Sequence, residues 1–83
     1  MTAEFVLTFA VFAGPKCTLE TREKWRDQEA FQKNLKEKGY KIKKFNVTKG
    51  NCYEIYGWNT IGQRVEIYFN PVSGKIEKEE LED

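Results

Sequence analysis

Downstream of Gly39, apolar residues fall on alternate positions, and turn-forming groups recur at regular intervals: Thr48-Lys49-Gly50-Asn51, Asn59-Thr60-Ile61-Gly62 and Pro71-Val72-Ser73-Gly74. A period of two between turns is the signature of strands, and it predicts four of them, over 40–47, 51–59, 63–70 and 75–80. If Gly50 and Gly62 each take the left-handed position that closes a three-residue loop, the register follows. Val47 then faces Asn51 and Asn59 faces Gln63, so Phe45 pairs with Tyr53, Ile55 with Ile67, Gly57 with Val65 and Tyr53 with Phe69. The odd-numbered residues share one face, which is the expected core. Upstream the period changes. Phe31 and Leu35 are four apart and lie on one stripe of a helix running from an N-cap at Asp27 to Lys38, with Glu29 in its first turn and Gly39 as its stop. So narrow a stripe needs a sheet to lie on, and Trp25 is placed to anchor the entry. The fold class is α+β: one α-helix packed on a four-stranded antiparallel β-sheet, helix first and then a β-meander.

The same register sorts the even-numbered residues onto the opposite face, in rows of Tyr40, Trp58 and Arg64, of Ile42, Tyr56 and Glu66, and of Lys44, Glu54 and Tyr68. Three readings stand side by side. The face is solvated, its aromatics favouring the strand and its charges pairing across it; or it is a recognition surface, because Tyr, Trp and Arg anchor interfaces; or it is covered by the N-terminal arm. Arg64 over Trp58 would form a cation-π contact.

At 83 residues the chain is one domain, and a composition of 40% hydrophobic and 33% charged residues is that of a globular one. With no His and two Cys, imidazole bases, His-containing triads and a closed tetrahedral metal site are excluded, so catalytic residues, metal and cofactor are all expected to be none. Residues 1–13 carry the apolar run from Phe5 to Ala13, too short to span a bilayer and without a positive charge before it. They are read as the remnant of a signal peptide with a changed front end, or alternatively as a strand of the domain. In a chain that looks exported, Cys17 and Cys52 form one disulfide. The expected organisation is therefore a remnant over 1–13, an N-terminal arm over 14–26, the domain over 27–80 and an acidic tail over 81–83.

Two stretches, Gly39-Tyr40-Lys41-Ile42 through Gly50-Asn51-Cys52-Tyr53-Glu54-Ile55-Tyr56-Gly57, and Gly62-Gln63-Arg64 through Asn70-Pro71-Val72-Ser73-Gly74-Lys75-Ile76, resemble a PepSY domain. The Tyr-Glu-Ile-Tyr strand and the hairpin closing on Gly74 carry the likeness, over residues 28 to 80. The resemblance implies a PepSY or cystatin-like arrangement of helix and sheet, with Tyr53 and Ile55 in the core. It also implies a module without catalytic residues that binds proteins and, in peptidase propeptides, restrains the peptidase. No peptidase follows within these residues, so action in trans is expected.

Charge offers competitors. Residues 1–50 hold 11 basic and 6 acidic side chains and residues 51–83 hold 3 and 7. The lysines around Tyr40 imitate a nucleic-acid surface, but near-neutrality overall and export count against it, and Lys41 and Lys43 fall on the helix-covered face. Glu77, Glu79, Glu80, Glu82 and Asp83 read as a solvated, frayed tail. Glu54 and Glu66 invite a paired-carboxylate enzyme; pairing with Lys44 and Arg64 is the expected use instead. The resulting expectation is a periplasmic or secreted, non-enzymatic module, monomeric or weakly dimeric, with no nucleic-acid partner and no stable membrane span. It binds a protein or peptide through the open face or an edge strand, with Tyr40, Tyr56, Trp58 and Arg64 as anchors; the alternative is a trans-acting inhibitor of a secreted peptidase or other hydrolase.

Overall fold

A computed structural model describes residues 14–82; the remnant expected over 1–13 lies outside them. Helix α1 spans Gln28–Glu37, and it starts where the sequence says it should: the Asp27 carboxylate accepts a hydrogen bond from the Ala30 amide at 2.9 Å, which satisfies one of the free N–H groups of the first turn. Its only buried residues are Phe31 and Leu35. Both rest on the odd-numbered face of a sheet of β1 (Lys41–Val47), β2 (Tyr53–Trp58), β3 (Arg64–Phe69) and β4 (Ile76–Leu81), all antiparallel neighbours in chain order.

Phe31 meets the rings of Tyr53 and Phe69 at 5.0 and 5.1 Å, and Tyr53, Ile55, Val65, Ile67 and Phe69 complete the core. Each such side chain contributes on the order of 1.5–3 kcal/mol by leaving water. Trp25 packs edge-on against Tyr53 at 5.7 Å, as anchor of the helix entry, and the Tyr53 hydroxyl donates to the Arg26 carbonyl. A short 3-10 turn over Arg22–Lys24 precedes it.

The β2–β3 register is the one the second loop dictates. Asn59 N–H donates to the Gln63 carbonyl at 2.9 Å, Gly62 takes φ +83, and Ile55 faces Ile67, Gly57 faces Val65 and Trp58 faces Arg64. The first hairpin differs. Its left-handed residue is Asn51, at φ 63, rather than Gly50, so the loop sits one residue later and Thr48 donates to Cys52 at 2.9 Å. Asn tolerates that conformation. Val47 consequently faces Tyr53 and Phe45 faces Ile55, two residues from the expected pairing, although the Phe45 and Tyr53 rings still touch at 5.1 Å. A shift of two keeps Phe45 and Val47 on the core side.

A bulge between Ile42 and Lys44 then changes the alternation. Ile42 faces Gly57 and Lys41 faces Trp58, and both Tyr40 and Ile42 pack against the core cluster. The expected rows of Tyr40 with Trp58 and of Ile42 with Tyr56 on the outer face do not form.

The arm crosses the sheet end near the first hairpin. The Cys17–Cys52 disulfide is present, Cys17 N–H donates to the Gly50 carbonyl at 2.8 Å, and the Asn70 side-chain amide donates to the Cys17 carbonyl at 2.9 Å. A Cβ on Gly50 would run into the Pro15 carbonyl oxygen, so this glycine serves close approach of the arm and not the turn. On the other edge, Glu77, Glu79 and Glu80 belong to β4 rather than to a tail, with Glu82 beyond it, and every β4 residue is exposed.

Candidate functional site

The outer face divides into a closed and an open end. Cys52, Glu54 and Tyr68 form the closed end, at 0%, 6% and 8% exposure. Gly14 of the arm lies so close over Tyr68 that a Cβ there would stand 2.7 Å from its ring. Covering by the arm, one of the three readings of this face, therefore holds for half of it.

Among the described residues, the carboxyl groups of the closed end have no ion-pair partner. The two-residue shift of β1 sets Asn46, not Lys44, opposite Glu54, and moves Lys44 opposite Tyr56. Among the described residues the salt bridge is Lys78 with Glu80, at 3.5 Å on the exposed edge. Glu54 and Glu66 instead lie against each other. Burial, followed by the Glu66 carboxyl beside it, raises the pKa of Glu54. The pKa of Glu66 is lowered by its contact with Glu54 and by the hydroxyls of Tyr68, which donates to it at 2.7 Å, and Tyr56, with the Lys78 charge adding to the effect. Burial and the two carboxyl groups push both tyrosines above the ordinary phenol value.

A pH dependence follows. Glu54 binds its proton more tightly folded than unfolded, so its contribution to stability is full below the ordinary carboxylate pKa of about 4.5 and is lost as pH rises through the raised folded value. Glu66 has the opposite sign, its contribution being full above the ordinary carboxylate pKa and lost as pH falls from there through its lowered value. The wild-type Tm is expected to fall as pH rises above about 4.5, and Glu54→Gln, which has no carboxyl to titrate there, to flatten that fall. Parallel slopes in thermal scans over that range would refute a Glu54 proton held more tightly in the folded state.

The open end is a cleft of about 220 Å³, floored by Tyr56, Gly57 and Trp58 and walled by Lys43 and Lys44 on one side and by Arg64 and Glu82 on the other. Trp58 and Arg64 face each other across β2 and β3, so of the four expected anchors Tyr56, Trp58 and Arg64 come together. Tyr40 does not; it lies on the helix side against the core. The cation-π contact is formed not by Arg64 over Trp58 but by Arg22 over Trp25, at 4.6 Å, in the arm. Lys43, expected beneath the helix, is in the cleft because the bulge breaks the alternation at that point. No period in the sequence marks it.

Among the described residues no group of three or more His, Cys, Asp or Glu side chains is placed to hold a metal ion, and no helix is long and apolar enough to cross a membrane. No curated protein and no solved structure matches the chain. The family model described as the peptidase propeptide and YPEB domain matches residues 1–80, nearly the whole sequence, and the helix lying on a four-stranded antiparallel meander agrees with it: the chain belongs to the PepSY family.

Proposed function

We propose that this PepSY chain is an exported, non-catalytic module that holds a protein or peptide in the open end of its outer sheet face. The observation that carries the reading is the cleft itself: two half-buried aromatic residues, Tyr56 and Trp58, side by side on the outer face of β2, between Lys43 and Lys44 of β1 and Arg64 of β3. Aromatic side chains in such a setting offer large contact area at low cost in lost rotamers. Family membership supports a propeptide-like or peptidase-inhibitory module, a class without catalysis that is typically extracellular or periplasmic.

The carboxyl pair does not favour an enzyme. Glu54 is almost wholly shut off from solvent, so the pair cannot flank a substrate bond from both sides. Edge-strand addition is disfavoured as well. β1 is bulged and carries Lys41, Lys43 and Lys44, and β4 presents Glu77, Lys78, Glu79 and Glu80, both of them features that blunt an edge against pairing and favour a monomer.

The test is selection of displayed random peptides on the wild-type protein, followed by affinity measurement with the Tyr56→Ala, Trp58→Ala double variant. Losing two anchors should weaken selected peptides at least tenfold, which corresponds to ~1.4 kcal/mol. Unchanged affinity would move the site off this face. Inhibition of a peptidase in trans is the narrower reading that the family description favours. Titrating the pure protein into secreted peptidases separates it from binding alone, which leaves their rates unchanged.

A further inference from the structure

The bulge in β1 does more than correct a register. In a regular strand Lys43 and Lys44 would point to opposite faces; here both line the open cleft. Arg64 stands at the far side of the Tyr56-Gly57-Trp58 floor, two strands away. None of the three cations has an ion-pair partner among the described residues. Three positive groups against one carboxylate, Glu82, around one small aromatic cleft, in a chain whose net charge is only +1, leave a local excess of positive charge that the overall composition conceals.

We infer that the occupant of this cleft is an acidic peptide segment of a partner protein, in which an apolar side chain sits over Gly57 between Tyr56 and Trp58 while flanking carboxylates face Lys43 and Lys44 on one side and Arg64 on the other. The inference rests on the binding function proposed above and names its chemistry. Strand spacing sets the geometry. Two intervals of about 4.8 Å, with the offset along the strands, put the two cationic walls roughly 10–12 Å apart, and in an extended peptide the side chains that face the sheet recur every ~6.6 Å, so two acidic residues four positions apart, ~13 Å, reach both walls with the apolar residue midway. The recognised pattern is therefore acidic-any-apolar-any-acidic. A guanidinium on one wall suits a carboxylate bidentately, whereas the paired lysines act as point charges.

The face also limits the length of the anion. At the third cation the face turns acidic: Glu82 shares the wall with Arg64, its N–H bonded to the Arg64 carbonyl at 2.9 Å, and Glu66 and Glu80 face each other across β3 and β4 alongside. A continuous polyanion such as single-stranded nucleic acid would have to cross that acidic border; a short acidic segment ends before it.

The experiment is fluorescence anisotropy with a labelled eight-residue peptide bearing two glutamates four positions apart with phenylalanine midway between them. It is run beside the same peptide with glutamines, the same peptide with lysines, and an eight-nucleotide oligothymidylate. At low salt the glutamate peptide is expected to bind at least tenfold tighter than the glutamine peptide, with the ratio shrinking as salt rises and collapsing to near one in a Lys43→Gln, Arg64→Gln variant. Equal binding of the glutamate and glutamine peptides, lost in Trp58→Ala, would overturn the acidic preference while leaving the binding face in place. Equal binding that survives Trp58→Ala, or no binding of any probe where display-selected peptides do bind, would overturn this occupant and this site. Tighter binding of the oligonucleotide would reassign the cleft to nucleic acid.

Discussion

Reduction of the Cys17–Cys52 disulfide should lower Tm by roughly 15–25 °C. The bond closes a stretch with a sequence separation of 35, for which loss of chain entropy in the unfolded state corresponds to about 3–4 kcal/mol, and each kcal/mol shifts Tm by about 4–8 °C in a domain of this size. The effect is large because the rest of the molecule is slight. Seven buried side chains make the core, and the helix contributes only Phe31 and Leu35 to it. Beside the bond, the arm is tied among the described residues by Cys17 N–H to Gly50 and by the side-chain amides of Asn51 and Asn70 to the carbonyls of Thr18 and Cys17; only at its far end do Trp25, packed on Tyr53, and Arg26, bonded to the carbonyls of Pro71, Val72 and Ser73, hold it again. Thermal scans with and without a phosphine reductant, repeated on a Cys17→Ser, Cys52→Ser variant, measure it. A change below about 5 °C would mean that the arm is held by those hydrogen bonds alone. Below its new Tm the reduced protein is expected to keep its peptide affinity, since the disulfide pins the closed end of the face and the cleft occupies the other.

How far the sequence announced this arrangement depends on where the decisive contact lies along the chain. The helix was legible to the residue at its start, because an N-cap is a local event: Asp27 bonds Ala30, three positions away. The β2–β3 register was equally legible, since Gly62 really does take the left-handed turn. Gly50 misled for the opposite reason. Its lack of a side chain answers the Pro15 carbonyl on a distant arm, a demand that no turn rule contains, and Asn51 does the work expected of the glycine. That single substitution of roles moved Lys44 away from Glu54 and left the two carboxyl groups beside each other without it.

The site divides along the same line. Tyr56, Trp58 and Arg64 were found by alternation, because β2 and β3 are regular where those residues lie. Tyr40 was misplaced and Lys43 overlooked because both depend on the β1 bulge, which a period of two cannot register. The one hint in the sequence was Gly57, a residue with no β-strand preference in the middle of a strand otherwise made of aromatic, acidic and β-branched residues, and a strand glycine often marks close backbone approach.

Gly57→Ala should therefore cost more than a change of one methyl group ordinarily does, about 2–3 kcal/mol. Gly57 is not among the residues with positive φ, so its backbone suits any amino acid, and the cost is steric alone. A Cβ would collide with the Lys41 carbonyl oxygen and stand 3.0 Å from the Lys41 carbonyl carbon and 3.1 Å from the Ile42 Cα. All three are backbone atoms of a paired strand and cannot swing aside as a side chain would. The first half of β1 would have to lift, breaking the Ile42–Gly57 and Lys41–Trp58 pairs and withdrawing Tyr40 and Ile42 from the core. Gly62→Ala provides the comparison: nothing lies within 4 Å of its Cβ, and its penalty is the positive φ, worth ~1–2 kcal/mol. Urea titration of both variants at one pH reads the difference, and an alanine at 57 no costlier than one at 62 would show that the strands do not approach so closely. Peptide affinity distinguishes them further. Lifting β1 carries Lys43 and Lys44 away from the Tyr56 and Trp58 floor, so Gly57→Ala should weaken binding of the glutamate peptide at least tenfold, whereas Gly62→Ala, in a loop at the sheet end, should leave it unchanged.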